Sequence, residues 1–86
     1  MDAAPGSFCY VYILVSERDA DVHYTGMTDD LGARLRVHNA GGSPHTAKHR
    51  PWRLETALAF RDRAKAASFE AYLKSGSGRE FARRHF

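Results

Sequence analysis

Two side chains of this sequence combine types and a spacing suited to charge and proton chemistry: Arg34 and His38. Arg34 and His38 stand four residues apart within the stretch Tyr24 to His38, YTGMTDDLGARLRVH. At a period of 3.6 residues, Leu31, Arg34, Leu35 and His38 share one arc of a helix, whereas Arg36 points the other way. A pair that only aided solubility would sit opposite the leucines. These two flank the face that must dock, and so carry a permanently charged donor fork and an imidazole to the edge of a core.

The elements that must position these groups follow from periodicity. Phe8 to Ser16 (FCYVYILVS) is a near-continuous apolar and aromatic run, too short for a core helix, and reads as a strand buried on both faces. Glu17 to Asp21 is a polar connection, and Val22 to Thr28 resumes strand character, which makes a β-hairpin. If Ser16 pairs with Val22, Leu14 faces Tyr24 and Tyr12 faces Gly26, so both tyrosines lie on one side of the sheet. A slip of one residue would part them. Gly26 then leaves space beside Tyr12 for a ligand or a close backbone.

A helix is expected from about Asp30 to Ala40, capped by Thr28, Asp29 or Asp30 and ended by Gly41-Gly42. Residues 43–52, SPHTAKHRPW, read as a basic loop. Arg53 to Phe60 alternates, with Leu54, Thr56, Leu58 and Phe60 on one side, and predicts a third strand. Asp62 opens a second helix with an Ala66, Phe69 and Leu73 stripe bordered by Glu70 and Lys74. Gly76 stops it, and Ser77-Gly78-Arg79-Glu80 reads as a capping box for a short last helix through Arg84. The order ββαβαα implies an α+β fold with a small, three-stranded, mainly antiparallel sheet flanked by helices.

Eighty-six residues suffice for one domain, expected over residues 8–86 behind a disordered or extended segment at residues 1–7. The single cysteine, Cys9, cannot form an internal disulfide, and its apolar surroundings suit a small buried thiol. The N-terminus has an acidic residue where a secretory leader has basic ones, and Phe8 to Val15 is far shorter than a membrane span. A soluble cytoplasmic protein with no membrane partner is expected. Thirteen Lys and Arg against ten Asp and Glu give a net charge of only +3, too small to indicate nucleic acid by itself. The cations do concentrate in the second half, from Lys48 to Arg84.

The ordered set Tyr10-Val11-Tyr12, Tyr24-Thr25-Gly26, Arg34 with His38, and Glu70 on a later helix resembles the GIY-YIG nuclease superfamily, in particular its small single-domain bacterial branch. No single piece is specific, but the ordered set is, and the likeness spans Phe8 to about Glu80. Two positions depart from the pattern. The first motif reads YVY and lacks its glycine, and the asparagine that some members carry late in the domain has no counterpart, the only one here being Asn39.

The resemblance implies a metal-dependent endonuclease that hydrolyses DNA phosphodiester bonds, directed by structure or single-strandedness and not by base sequence, in DNA repair or processing. It implies that Tyr12 or Tyr24 accepts the proton of the attacking water. Because free tyrosine titrates at about 10, neutral-pH action requires nearby positive charge, for which Arg34 is the candidate. Arg34 would also grip phosphate oxygens, His38 would orient a tyrosine hydroxyl, and Glu70 would be the lone protein ligand of Mg²⁺ or Mn²⁺. Lys48, Arg50, Arg53 and Lys74 would contact the nucleic-acid backbone. Each residue taken singly has a plainer reading: core packing for the tyrosines, structural hydrogen bonds for Arg34 and His38, and an i,i+4 pair with Lys74 for Glu70. Trp52 either stacks on a base or folds into the core edge, with the core edge favoured. His45 and His49, with Cys9 or His23, fall short of a zinc site. Two further functions stay open: a catalytically silent nucleic-acid-binding module and an RNA-directed nuclease. A partner protein could supply substrate recognition.

Overall fold

The computed structural model describes residues 7–86, so the N-terminal segment expected at residues 1–7 lies, through residue 6, outside the described residues. Strand β1 (Cys9–Ser16) runs through the middle of a three-stranded sheet, with β2 (His23–Thr28) and β3 (Trp52–Phe60) antiparallel on either side. Its central place explains its composition. Every residue of β1 except Tyr10 is buried, because both faces are covered by other elements. The hairpin register is the one the sequence predicts: the Ser16 amide donates to the Val22 carbonyl at 3.0 Å, Leu14 stands opposite Tyr24 and Tyr12 opposite Gly26.

The two faces carry separate clusters. On one, Cys9, Val11 and Ile13 pack with Ala66 and Leu73 of helix α3 (Arg63–Leu73) and with Phe81 of α4 (Gly76–His85). On the other, Tyr12, Leu14 and Trp52 pack with Val22, Tyr24, Leu31 and Leu35, the leucines coming from helix α1 (Leu31–Asn39). Burying side chains of this size stabilises the fold by about 1.5–3 kcal/mol each. Asp30 is the residue that caps α1, its carboxylate accepting from the Ala33 amide at 3.0 Å. Gly41 closes the helix at φ +81°, the left-handed conformation that glycine adopts without a Cβ penalty.

Three local readings are corrected. Residues 43–52 are not wholly loop: Pro44–Ala47 form one helical turn, α2, started by a proline whose fixed φ suits a first helical position. Leu54 does not share a face with Thr56, Leu58 and Phe60. A bulge opposite Ile13 and Leu14 pairs Thr56 with Ile13 but Leu54 with Leu14, leaving Glu55 between them without a partner in β1. The alternation therefore slips by one, Leu54 is left 41% exposed, and Trp52 arrives on the Tyr12 side, 3% exposed. The cap of the last helix is Ser75 and not Ser77, with the Ser75 hydroxyl accepting from the Gly78 amide at 3.1 Å. Gly78 permits this tight junction, since a Cβ there would collide with the Tyr72 backbone.

Asn39, the last residue of α1, clamps the start of β3. Its Oδ1 accepts from the Trp52 amide at 2.6 Å and its Nδ2 donates to the Trp52 carbonyl at 3.0 Å. Asn39→Ala removes both bonds and is expected to cost about 1–3 kcal/mol, read as a lower urea midpoint at unchanged slope. An unchanged midpoint would mean that the clamp adds nothing to stability.

Candidate active site

The site is built where α1 crosses the Tyr12 face of the sheet. Tyr12 is 2% exposed and lies flat over Gly26 of the neighbouring strand, where a Cβ would stand 2.6 Å from its Cζ. The space that Gly26 opens is therefore filled by the Tyr12 ring itself, not left free for a ligand. Tyr12 Oη meets His38 Nε2 at 3.0 Å, and the Tyr24 ring tilts against the His38 ring with centroids 4.8 Å apart. His38 is fully buried, and its other nitrogen, Nδ1, lies 2.8 Å from Thr46 Oγ1 of α2. Trp52 Nε1 donates to the Thr46 carbonyl at 2.9 Å, so β3, α2, α1 and β1 are joined through one buried chain of polar groups.

Arg34, one turn before His38, sets its guanidinium beside both tyrosine hydroxyls, and the Tyr12 phenol is the largest influence holding its charge. The electrostatic result differs from expectation. Burial outweighs every other influence on Tyr12 and pushes its hydroxyl above the usual tyrosine range; Arg34 beside it lowers the value only in part, while Tyr24 and Glu70 press it upward. Resting Tyr12 is thus a neutral phenol. His38 moves the opposite way: burial first, then the Arg34 charge, hold its imidazole below the ordinary histidine range, so it too is neutral at pH 7.

Tyr12, Tyr24, Arg34 and His38 form one cluster. Glu70 stands on α3, whose apolar stripe packs on the other face of the sheet, and its carboxylate reaches Tyr12 through its charge, as the smallest of the influences on that hydroxyl. Glu70 Oε2 pairs with Lys74 Nζ at 3.2 Å. Among the described residues no three His, Cys, Asp or Glu side chains converge on a common ion position. One half-buried carboxylate with hard oxygen donors nonetheless fits a cation that keeps most of its water, as Mg²⁺ does. Cys9, His23, His45 and His49 occupy separate elements, His23 pairing with Glu55 at 3.1 Å and His49 lying edge-on to Trp52.

The basic segment holds both exposed cations and a buried threonine. Lys48, Arg50 and Arg53 are exposed, and Arg50 lays its guanidinium against Gly41 at the C-terminal end of α1, where it also suits the helix dipole. Lys74 is engaged with Glu70. It is Thr46 of this segment, not a cation, that enters the buried cluster, and neither Thr46 nor Asn39 stands out in the sequence as a functional residue. The Ser43-Pro44 start signal could have revealed α2, but not what its threonine touches.

Comparison with known proteins agrees with this geometry. The GIY-YIG catalytic domain matches residues 8–83. The chain belongs to the GIY-YIG family. Its relatives are small members of that family: a UPF0213 protein of Lacticaseibacillus paracasei, 41% identical over 66 residues covering 76% of this chain and 72% of the relative; one of Streptococcus pneumoniae, 39% identical over 66 residues covering 76% and 65%; and one of Haloquadratum walsbyi, 37% identical over 67 residues covering 77% and 75%. No solved structure matches the chain. A GIY-YIG domain is of nuclease type, with nucleic acid as its general substrate class and a divalent metal as its usual cofactor.

The buried His38 makes stability depend on pH with a definite sign. Its folded value lies below the unfolded value of about 6.5, so the unfolded chain takes up the proton first as pH falls. Stability is full above about pH 6.5 and is lost below it until the folded site is protonated as well. Thermal unfolding between pH 7 and 5 should therefore fall more steeply in the wild type than in His38→Gln. Parallel slopes would show that His38 carries no such linkage.

Proposed function

We propose that this GIY-YIG domain is an endonuclease that hydrolyses DNA phosphodiester bonds with Mg²⁺ or Mn²⁺, selecting strand structure and not base sequence, in DNA repair or processing in the cytoplasm. The observation that carries this reading is the Tyr12 Oη to His38 Nε2 bond, 3.0 Å long, inside a buried cluster flanked by a permanent cation.

The bond answers the difficulty that a buried tyrosine poses. With its hydroxyl held above the usual range, Tyr12 cannot wait as a tyrosinate. It can act as a relay: as a water gives its proton to Tyr12 Oη, Tyr12 passes its own to the neutral imidazole of His38. The water oxygen forms a bond to phosphorus, the ester P–O bond breaks, and the proton is returned to the leaving oxygen. Arg34, beside both hydroxyls, offers its donor fork to the phosphoryl oxygens as their charge grows. Tyr24, packed on His38, holds the imidazole plane toward Tyr12. Glu70 would hold the divalent ion, which supplies Lewis-acid stabilisation of the phosphoryl charge. Lys74 must release Glu70 for that, and would then be available to a backbone phosphate. Lys48, Arg50 and Arg53 are exposed and supply the remaining backbone contacts, with finer recognition left to a partner protein.

The test is cleavage of matched single-stranded, flap, nicked and duplex DNA, and of the same sequences as RNA, with and without Mg²⁺. Tyr12→Phe is expected to lower the rate about 10²–10⁴-fold and Arg34→Ala about 10²–10³-fold. Glu70→Ala should abolish metal-dependent cutting in a folded protein. Full activity of Glu70→Ala removes the ligand assignment, and faster cutting of RNA than of matched DNA overturns the substrate. Salt-sensitive binding with no product under any metal would identify a silent binding module.

A further inference from the structure

The cluster contains a residue outside the set just discussed that meets the second ring nitrogen of His38. Thr46 is 1% exposed, on the single turn α2, with its Oγ1 2.8 Å from His38 Nδ1 and 3.4 Å from the Ser43 carbonyl at the head of that turn. A neutral imidazole has one ring proton for two nitrogens, and a hydroxyl can either donate to Nδ1 or accept from it. The ends of the chain break this symmetry. At the Ser43 end stands a carbonyl, which only accepts. At the Tyr12 end stands the Arg34 guanidinium, which only donates.

We propose that Thr46 is a positioning residue that fixes His38 as the Nδ1–H tautomer, keeping Nε2 as the acceptor of the Tyr12 proton. In that direction every proton has a partner: Thr46 Oγ1–H donates to Ser43 O, Nδ1–H to Thr46 Oγ1, and Tyr12 Oη–H to Nε2. The reverse direction, with Thr46 donating to Nδ1 and Nε2–H donating to Tyr12, gives up the Thr46 hydroxyl bond to Ser43 O and sets the Tyr12 proton against Arg34, which has no lone pair to receive it. Tyr12 Oη would then receive donors from both His38 and Arg34, and its own proton would lose the buried acceptor that Nε2 offers in the first direction. Ser43 O also accepts the amides of Thr46 and Ala47, at 3.2 and 3.0 Å, which fixes it at the foot of the turn. The placement of Thr46 is itself secured by its carbonyl, bonded to Trp52 Nε1, and through Trp52 by the Asn39 clamp. After proton transfer the same geometry serves the product, because the new imidazolium still donates through Nδ1–H to Thr46.

The inference deepens the relay reading of His38 and rests on it for its catalytic meaning, but the tautomer can be read without substrate. Long-range ¹H–¹⁵N correlation spectra of ¹⁵N-histidine-labelled wild type at pH 7.5 should show His38 with a protonated Nδ1 and a free Nε2. Thr46→Ser should keep that pattern and cleavage within a few-fold of wild type. Thr46→Val, of similar shape without the hydroxyl, should lose the pure Nδ1–H signature and cut at least tenfold more slowly. An Nε2–H tautomer in the wild type overturns the proposal, and this holds even should Thr46→Val not fold. An unchanged Nδ1–H pattern in folded Thr46→Val overturns it as well. A wild type that cuts nothing yet shows the Nδ1–H pattern, lost in Thr46→Val, would strike only the hydrolytic reading and support the role of Thr46.

Discussion

A fully buried imidazole must have both ring nitrogens satisfied, and the rest of this structure is arranged around that requirement. His38 meets it with a tyrosine from the central strand and a threonine from a single helical turn. Because those partners belong to β1 and α2, the imidazole ties together elements that are far apart along the chain. Leaving either nitrogen unpaired would cost more than the bond contributes when made. This asymmetry makes the arrangement specific as well as stabilising: among the described residues no buried side-chain nitrogen or oxygen lacks a partner.

The same burial sets the chemistry. Tyr12 and His38 are each driven toward their neutral forms, the phenol upward and the imidazole downward. A phenol and an imidazole that are both neutral and bonded to each other form a proton path rather than an ion pair. Arg34 acts on the two groups in opposite senses relative to burial: its charge favours a phenolate at Tyr12, against burial, and opposes a second cation at His38, with burial. At rest the Tyr12–His38 pair is therefore neutral, and the charge of the cluster sits on Arg34 beside it.

The structure also explains why the site needs both sides of the third strand. Without the bulge at Glu55, strict alternation would place Trp52 on the side of Thr56, Leu58 and Phe60, against α3. The extra residue turns Trp52 over to the Tyr12 face, where its indole N–H reaches Thr46 and its backbone meets Asn39. One irregularity in a nine-residue strand is therefore what allows α2 to reach the imidazole. The absence of the first-motif glycine, by contrast, leaves the hairpin intact: Tyr10 sits at the end of β1 opposite Thr28, and the close approach beside Tyr12 is provided by Gly26.

The sequence by itself determined the order of the three strands and the three longer helices, though not the single turn α2, together with the hairpin register and the common face of Tyr12 and Tyr24. It also determined the shared arc of Arg34 and His38, because each depends on a period of two or 3.6 residues that a linear pattern records. The apolar run Phe8 to Ser16 marks a strand buried on both faces, and Gly41-Gly42 mark the helix end by their type. Tertiary structure alone decided the direction of the Tyr12 shift, since burial outweighs the neighbouring cation only once the ring lies under α1. It alone decided the face of Trp52, because a bulge is set by pairing against β1 and leaves no mark in the alternation. It alone recruited Thr46 and Asn39, ordinary residues by type, whose roles come from what stands opposite them in space and not from their neighbours in the chain.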